Sequence, residues 1–250
     1  MCNICEPQKE TKKNERRSFL RLAGISASTL MLSGILPKQA AFAASTASTS
    51  PKPENDLNPQ QALARLLAGN TRYVQGVAKR HDFVAEREAL VGGQNPFAAV
   101  LGCADSRIAP EYAFDTSRGD LFAVRIAGNF VTTDGLASLE YAVAVLGTPL
   151  ILVLGHDSCG AISAGVKAVQ EDTKFPGQIQ SLADAVKPSV EKVLKAPGDI
   201  LENAITQNVK DTVSRLKHES PILSDALEKG KLNIVGGVYK LSSGKVEMVA

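Results

Sequence analysis

Two apolar runs of strand length, about fifty residues apart, each stop at a glycine and then deliver residues that bind soft metal ions. The first is Phe97-Ala98-Ala99-Val100-Leu101-Gly102, followed by Cys103-Ala104-Asp105-Ser106-Arg107. The second is Pro149-Leu150-Ile151-Leu152-Val153-Leu154-Gly155, followed by His156-Asp157-Ser158-Cys159-Gly160. Unbroken apolar runs of this length, bounded by turn signals, suit strands buried on both faces, which is the habit of parallel sheets. Residues two apart in an extended chain point the same way, so Cys103, Asp105 and Arg107 could share one face.

The intervening segments fit that sheet. Asp120–Arg125 reads as a second strand, Thr133–Leu146 as a helix stopped by Gly147-Thr148-Pro149, and 150–154 as a third strand. Strand, crossover helix, strand is the βαβ unit, so the fold class is α/β, a mainly parallel central sheet flanked by helices. Upstream, a helix runs from Pro59 to a stop at Gly69-Asn70, with further helical pieces at Arg72–Val74 and Phe83–Leu90, together an N-terminal helical arm. Downstream, 178–196, 198–218 and Pro221–Leu227 read as helices. Leu232–Tyr239 and Lys245–Val249 read as closing strands joined through Ser242-Ser243-Gly244.

The first 43 residues belong to something else. Arg16-Arg17-Ser18-Phe19-Leu20-Arg21 precedes a short, Ser- and Gly-diluted apolar stretch and a small-residue site at Ala41-Phe42-Ala43. That is the anatomy of a signal peptide, too weakly apolar for a spanning helix, and its paired arginines resemble the twin-arginine export motif. The domain reading is therefore a signal peptide over 1–43, a disordered Ser/Thr/Pro/Ala-rich linker over 44–58 and a catalytic domain over 59–250, in a periplasmic location or a thylakoid lumen. Of 28 Lys/Arg and 26 Asp/Glu, the leader holds seven and three, leaving 21 and 23 in the body. A near-neutral body argues against nucleic acid as the partner. Cys2 and Cys5 fall in the leader, so an exported body keeps only Cys103 and Cys159, which leaves a disulfide or a shared metal ion as the two uses of the pair.

Ligands in open α/β sheets collect at the carboxyl ends of strands. Two thiolates and one imidazole suit a zinc ion with a fourth position open for catalysis. Asp105 could fill that position, or Arg107 could draw the carboxylate aside through a bidentate pair and leave room for water. Of the other histidines, His81 and His218 sit in polar contexts and read as solvated, and Asp157 reads as a cap for the helix that follows it.

Cys103-Ala104-Asp105-Ser106-Arg107 with Gly155-His156-Asp157-Ser158-Cys159-Gly160 resembles the β-class carbonic anhydrases over roughly residues 58–249. The resemblance implies reversible hydration of CO2 to bicarbonate by hydroxide on one Zn2+ per subunit, held by Cys103, His156 and Cys159. It also implies an Asp105–Arg107 dyad, with Asp105 as fourth ligand in a closed state. Gln94 would hold CO2 or bicarbonate, Phe122, Ala127 and Tyr141 would line an apolar pocket, and subunits would pair as dimers or larger assemblies around it. The family's regulatory bicarbonate pocket needs a tryptophan where this chain has Val100, and the chain has no Trp. Relatives of this fold that hydrolyse carbonyl sulfide or carbon disulfide use the same ligands, and a zinc-stabilised binding protein is the non-catalytic alternative.

Overall fold

The computed structural model describes residues 51–250. The leader with its paired arginines, Cys2 and Cys5 lies outside the described residues.

Helix α1, Pro59–Val74, opens with Pro59 after a reciprocal capping box between Asn58 and Gln61. It runs through the expected stop at Gly69-Asn70. The glycine serves close approach rather than termination: a Cβ there would stand 1.8 Å from the carbonyl oxygen of Phe114. Asn70 holds the same junction, donating to the carbonyls of Ala113 at 2.9 Å and Gly244 at 2.8 Å and accepting from the Val246 N–H at 2.9 Å. The arm is thereby seated on its own domain, with Ala62 and Leu66 fully buried.

A short helix α2, Phe83–Ala89, precedes β1, Ala98–Gly102. Then come α3, Pro110–Ala113, β2, Leu121–Arg125, α4, Thr133–Ala144, and β3, Leu150–His156. Four helices follow, α5 Gly160–Gln170, α6 Ile179–Val193, α7 Ile200–His218 and α8 Pro221–Glu228. The strands β4, Asn233–Tyr239, and β5, Val246–Met248, close the chain. The sheet order is β2-β1-β3-β4-β5, parallel throughout except for the β4–β5 pairing at one edge.

Every residue of β1 and β3 is buried, as their unbroken apolar sequences require. Alternation sorts their side chains into two layers. Leu101, Ile151 and Val153 pack with Leu139, Ile162, Val209 and Leu216 from α4, α5 and α7. Val100, Leu152 and Leu154 pack on the other face with Leu66 of α1 and Phe114. The chain leaves β1 toward β2 on one side and returns to β3 on the other, so the strand order reverses between β1 and β3. Their carboxyl ends flank the crevice in which open α/β sheets hold ligands.

The segment expected as disordered linker is folded from Lys52 onward. Asp120, 3% exposed at the head of β2, needs a buried counter-charge. Lys52 supplies it with Nζ 2.8 Å from Oδ1, Arg65 approaches the same oxygen at 3.3 Å, and Asn55 adds a hydrogen bond at 3.1 Å. The folded body thus begins before residue 59, and residues 44–50 lie outside the described residues.

Candidate metal centre

β1 releases the chain at Gly102, so Cys103, 6% exposed, stands at the mouth of the crevice. β3 runs two residues further than its apolar stretch predicts and ends on His156, which is fully buried. A turn through Ser158, at φ +52°, then brings Cys159 to the N-cap of α5. The two sulfurs and a ring nitrogen of His156 lie within 4.8 Å of one another. Ligands at about 2.0–2.3 Å from one tetrahedral ion stand roughly 3.5–3.8 Å apart, so small side-chain adjustments close the cluster on a metal.

The protonation pattern favours a cation. Nδ1 of His156 faces the carbonyl oxygen of Asp157 at 2.8 Å, and a carbonyl only accepts, so Nδ1 carries the proton. In the neutral ring that a metal ion requires, Nε2 then carries a lone pair, and it is buried without a hydrogen-bond partner among the described residues. Hydrogen bonding from the Cys159 thiol, against the opposing effect of burial, pushes the Cys103 thiol down to about 4. The same contact, joined by burial, pushes the Cys159 thiol up. Burial draws His156 down, but the Cys103 thiolate outweighs it and holds the imidazole up. Three buried groups that share protons around a negative sulfur are groups whose protons a divalent cation displaces. Both cysteines are free, so the pair is not spent on a disulfide.

Asp105 and Arg107 do meet, but through a turn at Ser106–Arg107 and not through an extended chain, with the Ile108 N–H bonded back to the Asp105 carbonyl at 3.2 Å. Nε of Arg107 donates to Oδ1 at 2.9 Å and Nη2 to Oδ2 at 2.7 Å, a bidentate fork, and the Arg107 N–H adds 2.9 Å to Oδ1. The guanidinium holds the Asp105 carboxyl far below the usual carboxylate range against a modest burial effect. Oδ2 remains 3.8 Å from Nε2 of His156, facing the ligand cluster. Arg107 also reaches the carbonyl of Ser158 at 3.3 Å, which ties the two ligand-bearing turns together.

A residue to which the sequence gives no role, though the stretch Arg125–Asn129 shares in the resemblance, secures the first turn. Arg125, at the end of β2, donates to the carbonyl oxygens of Cys103 at 2.9 Å, Asp105 at 2.6 Å and Ile108 at 2.8 Å. Its acceptors are all backbone, so no side-chain motif announces it. Asp157 is a correction too. Its Oδ1 accepts from the Leu241 N–H at 2.9 Å and fastens the turn to the β4–β5 hairpin, while Cys159 takes the N-cap position. His81 is less solvated than its context predicts, since Nδ1 lies 3.0 Å from Glu86 and 3.1 Å from Ser117. His218 sits at the exposed end of α7 with Nδ1 2.7 Å from the carbonyl of Ser214.

The four expected pocket residues divide. Ala127 adjoins Gly128, whose N–H donates to Sγ of Cys103 at 3.3 Å, so it borders the centre. Phe122 pairs in register with Ala99 near the start of β1, and its ring lies 6.3 Å from that of Tyr141 on α4. Gln94 is exposed, four residues before β1 begins. A five-residue strand spans about 16 Å, so Gln94 and Phe122 stand toward the opposite end of β1 from Cys103.

Fold and centre together define a mainly parallel α/β scaffold with a buried Cys/His/Cys group, able to hold a metal ion, at the reversal point of its sheet. The carbonic anhydrase family pattern matches residues 98–246. A carbonic anhydrase of Mycolicibacterium smegmatis is 41% identical over 192 residues, spanning 76% of this chain and 93% of that protein. Carbonic anhydrase 2 of Mycobacterium tuberculosis is 40% identical over 75% of this chain and 91% of its own length. Among solved structures, the β-carbonic anhydrase CcaA matches 76% of this chain and 92% of its own at 27% identity, with a TM-score of 0.60. The Coccomyxa β-carbonic anhydrase matches 82% and 87% at 28% identity, with a TM-score of 0.57. The chain belongs to the β-class carbonic anhydrase family.

Proposed function

We propose that this protein catalyses the reversible hydration of CO2 at a zinc ion held by Cys103, His156 and Cys159, in the sense CO2 + H2O ⇌ HCO3⁻ + H⁺. The observation that carries the reading is the lone pair of His156 Nε2, buried beside two thiols and 3.8 Å from a carboxylate that Arg107 keeps ionised. Bound zinc would supply a Lewis acid that makes water a nucleophile near neutral pH. Asp105 Oδ2, 3.8 Å from His156 Nε2, would accept a hydrogen bond from the attacking water and so orient it toward the CO2 carbon. Arg107 holds Asp105 against rotation through its bidentate fork, which would keep the carboxylate from taking the place of water on a bound ion. Proton release to solvent and departure of bicarbonate complete the cycle.

Gln94, Phe122 and Tyr141 are proposed to reach the centre of a neighbouring subunit rather than their own. Among the described residues β2 is an edge strand with one side unpaired, and beside it Tyr141 and Val145 of the α4 segment are 47% and 63% exposed. A second copy laid along that edge covers this apolar surface and carries the substrate-holding residues to where the metal ligands stand. Light scattering is expected to give a homodimer or a multiple of it, and Tyr141→Arg to weaken association at least ~10-fold, about 1.4 kcal/mol. A monomer with full activity would overturn this arrangement.

Stopped-flow CO2 hydration by the zinc-loaded protein tests the activity. Turnover at pH 8.5 is the expected result. No turnover would refute it, and faster release of hydrogen sulfide from carbonyl sulfide would reassign the substrate. Zinc binding with no turnover of either would leave a binding protein. We also propose export in folded form by the twin-arginine translocase, supported by Arg16-Arg17 and the Ala41-Phe42-Ala43 site. Metal loading in a reducing cytosol would then protect both thiols before they meet an oxidising compartment. A shortened protein in the periplasmic fraction is the expected outcome; recovery in the thylakoid lumen would name the other compartment, and full-length protein in the cytosol would overturn export.

A further inference from the structure

Helix α7 lays Ile205, Val209 and Thr212 into the core, and in the middle of that buried stripe it carries Asn208, 3% exposed. A carboxamide withdrawn from water is costly unless it is hydrogen-bonded. Nδ2 of Asn208 donates to the carbonyl oxygen of Gly128 at 2.9 Å, across 80 residues of sequence, and the bond is buried. Gly128 is the residue whose N–H points at Sγ of Cys103, at 3.3 Å and also buried. It has φ +89°, and a Cβ there would meet the methyl of Ala161 at 3.2 Å and Val186 at 3.5 Å. The β2–α4 turn is therefore wedged against α5 and α6, and Asn208 fastens it from α7.

We propose that Asn208 is a positioning residue for the metal centre: by fixing Gly128 it sets the N–H···S bond to Cys103, and with it the strength of that thiolate as a metal ligand. An N–H aimed at a thiolate stabilises its charge and holds its lone pairs in one orientation. Partners of this kind, one shell beyond the ligands, typically change metal affinity about 10- to 100-fold. The inference rests on the zinc reading above, and it concerns a residue that touches neither substrate nor metal.

Two variants of nearly the same size as asparagine test it. Asn208→Asp turns the donor into an acceptor, and Asn208→Leu removes it while keeping the stripe filled. Thr212→Val, on the same buried face, serves as the control for altered packing alone. Zinc affinity, read by competition with a chromogenic chelator, is expected to fall about 10- to 100-fold in both Asn208 variants and to hold in the control. The thiolate charge-transfer band of the cobalt(II)-loaded protein is expected to shift in the same two variants only. Folded variants with wild-type zinc affinity and an unchanged cobalt spectrum would overturn the proposal, even if their melting temperatures fell, since Asn208 would then be structural alone. Should neither variant fold, the wild-type protein loaded with a spin-active cadmium isotope provides the reading. A scalar coupling between cadmium and the Gly128 amide proton is expected through the sulfur, and its absence would overturn the proposal. Failure of the wild-type protein to bind zinc, cobalt or cadmium would instead overturn the metal reading itself.

Discussion

Cys159→Ser is expected to empty the protein of zinc and to take CO2 hydration with it. The variant preserves shape, because serine differs from cysteine by one atom and the N-cap position of α5 accepts it. The donor chemistry is lost: a neutral hydroxyl replaces a thiolate in a position that is 1% exposed, where no water easily stands in. If three ligands share about 12 kcal/mol of binding, losing one costs roughly 4 kcal/mol, near a thousandfold in affinity. Zinc content after dialysis against a weak chelator checks this directly. Thermal unfolding gives a second reading that does not depend on turnover. At a zinc concentration about 1,000 times the dissociation constant the wild-type protein gains about 4 kcal/mol, an upward shift of roughly 8–16 °C for a domain of this size. The variant should show little of that shift. Stoichiometric zinc retained by Cys159→Ser would remove that sulfur from the ligand set.

The Cys103, His156 and Cys159 cluster was legible in the sequence because its signals are local. A strand buried on both faces must be apolar throughout, which marked β1 and β3, and the residues just past a parallel strand's end are the ones the crevice receives. Asp105 and Arg107 were legible as a close pair, but the reason differs from the alternation of an extended chain: a turn at Ser106–Arg107 closes their fork within three positions. What escaped depends on partners far along the chain. Gly69 reads as a helix stop until Phe114 presses a carbonyl against it. Lys52 reads as linker until Asp120, 68 residues on, is found buried with the Lys52 ammonium 2.8 Å from its carboxylate. Arg125 and Asn208 serve the centre through backbone carbonyls, which carry no residue identity and leave no pattern to recognise. The apolar pocket is the remaining case. Gln94, Phe122 and Tyr141 carry the resemblance in sequence, yet one chain holds Gln94 and Phe122 toward the far end of β1 from Cys103, and Tyr141 packs on Phe122.

Asp105→Asn separates the role of the carboxylate from the role of the ligands. Asparagine has the same outline, and none of the three ligand atoms is touched, so zinc content should remain at one per chain. Two properties change. The charge that Arg107 grips disappears, replacing two charge-assisted bonds of 2.9 and 2.7 Å with at most one ordinary one. The side chain also gains an N–H2 that donates, where the proposed cycle needs an acceptor 3.8 Å from His156 Nε2. An asparagine that turns its oxygen to Arg107 presents its N–H2 to the nucleophile and so opposes the hydrogen bond that aims it. General-base positioning of this kind contributes about 10²–10⁴-fold, and a loss of at least ~100-fold in kcat/KM is expected. Arg107 holds the wild-type Asp105 carboxyl far below the usual carboxylate range, so it is ionised near neutral pH, whereas the asparagine amide has no ionised form to recover. Raising the pH should therefore not rescue the variant. Arg107→Lys gives the complementary arm: lysine keeps the charge but cannot form the fork, so the carboxylate would be freed to turn toward a bound ion. Activity should fall there too, while zinc binds as tightly as before or more tightly, a combination that Asp105→Asn cannot produce. Wild-type rates in Asp105→Asn, with zinc in place, would show that the carboxylate aims nothing and that the three ligands alone carry the reaction.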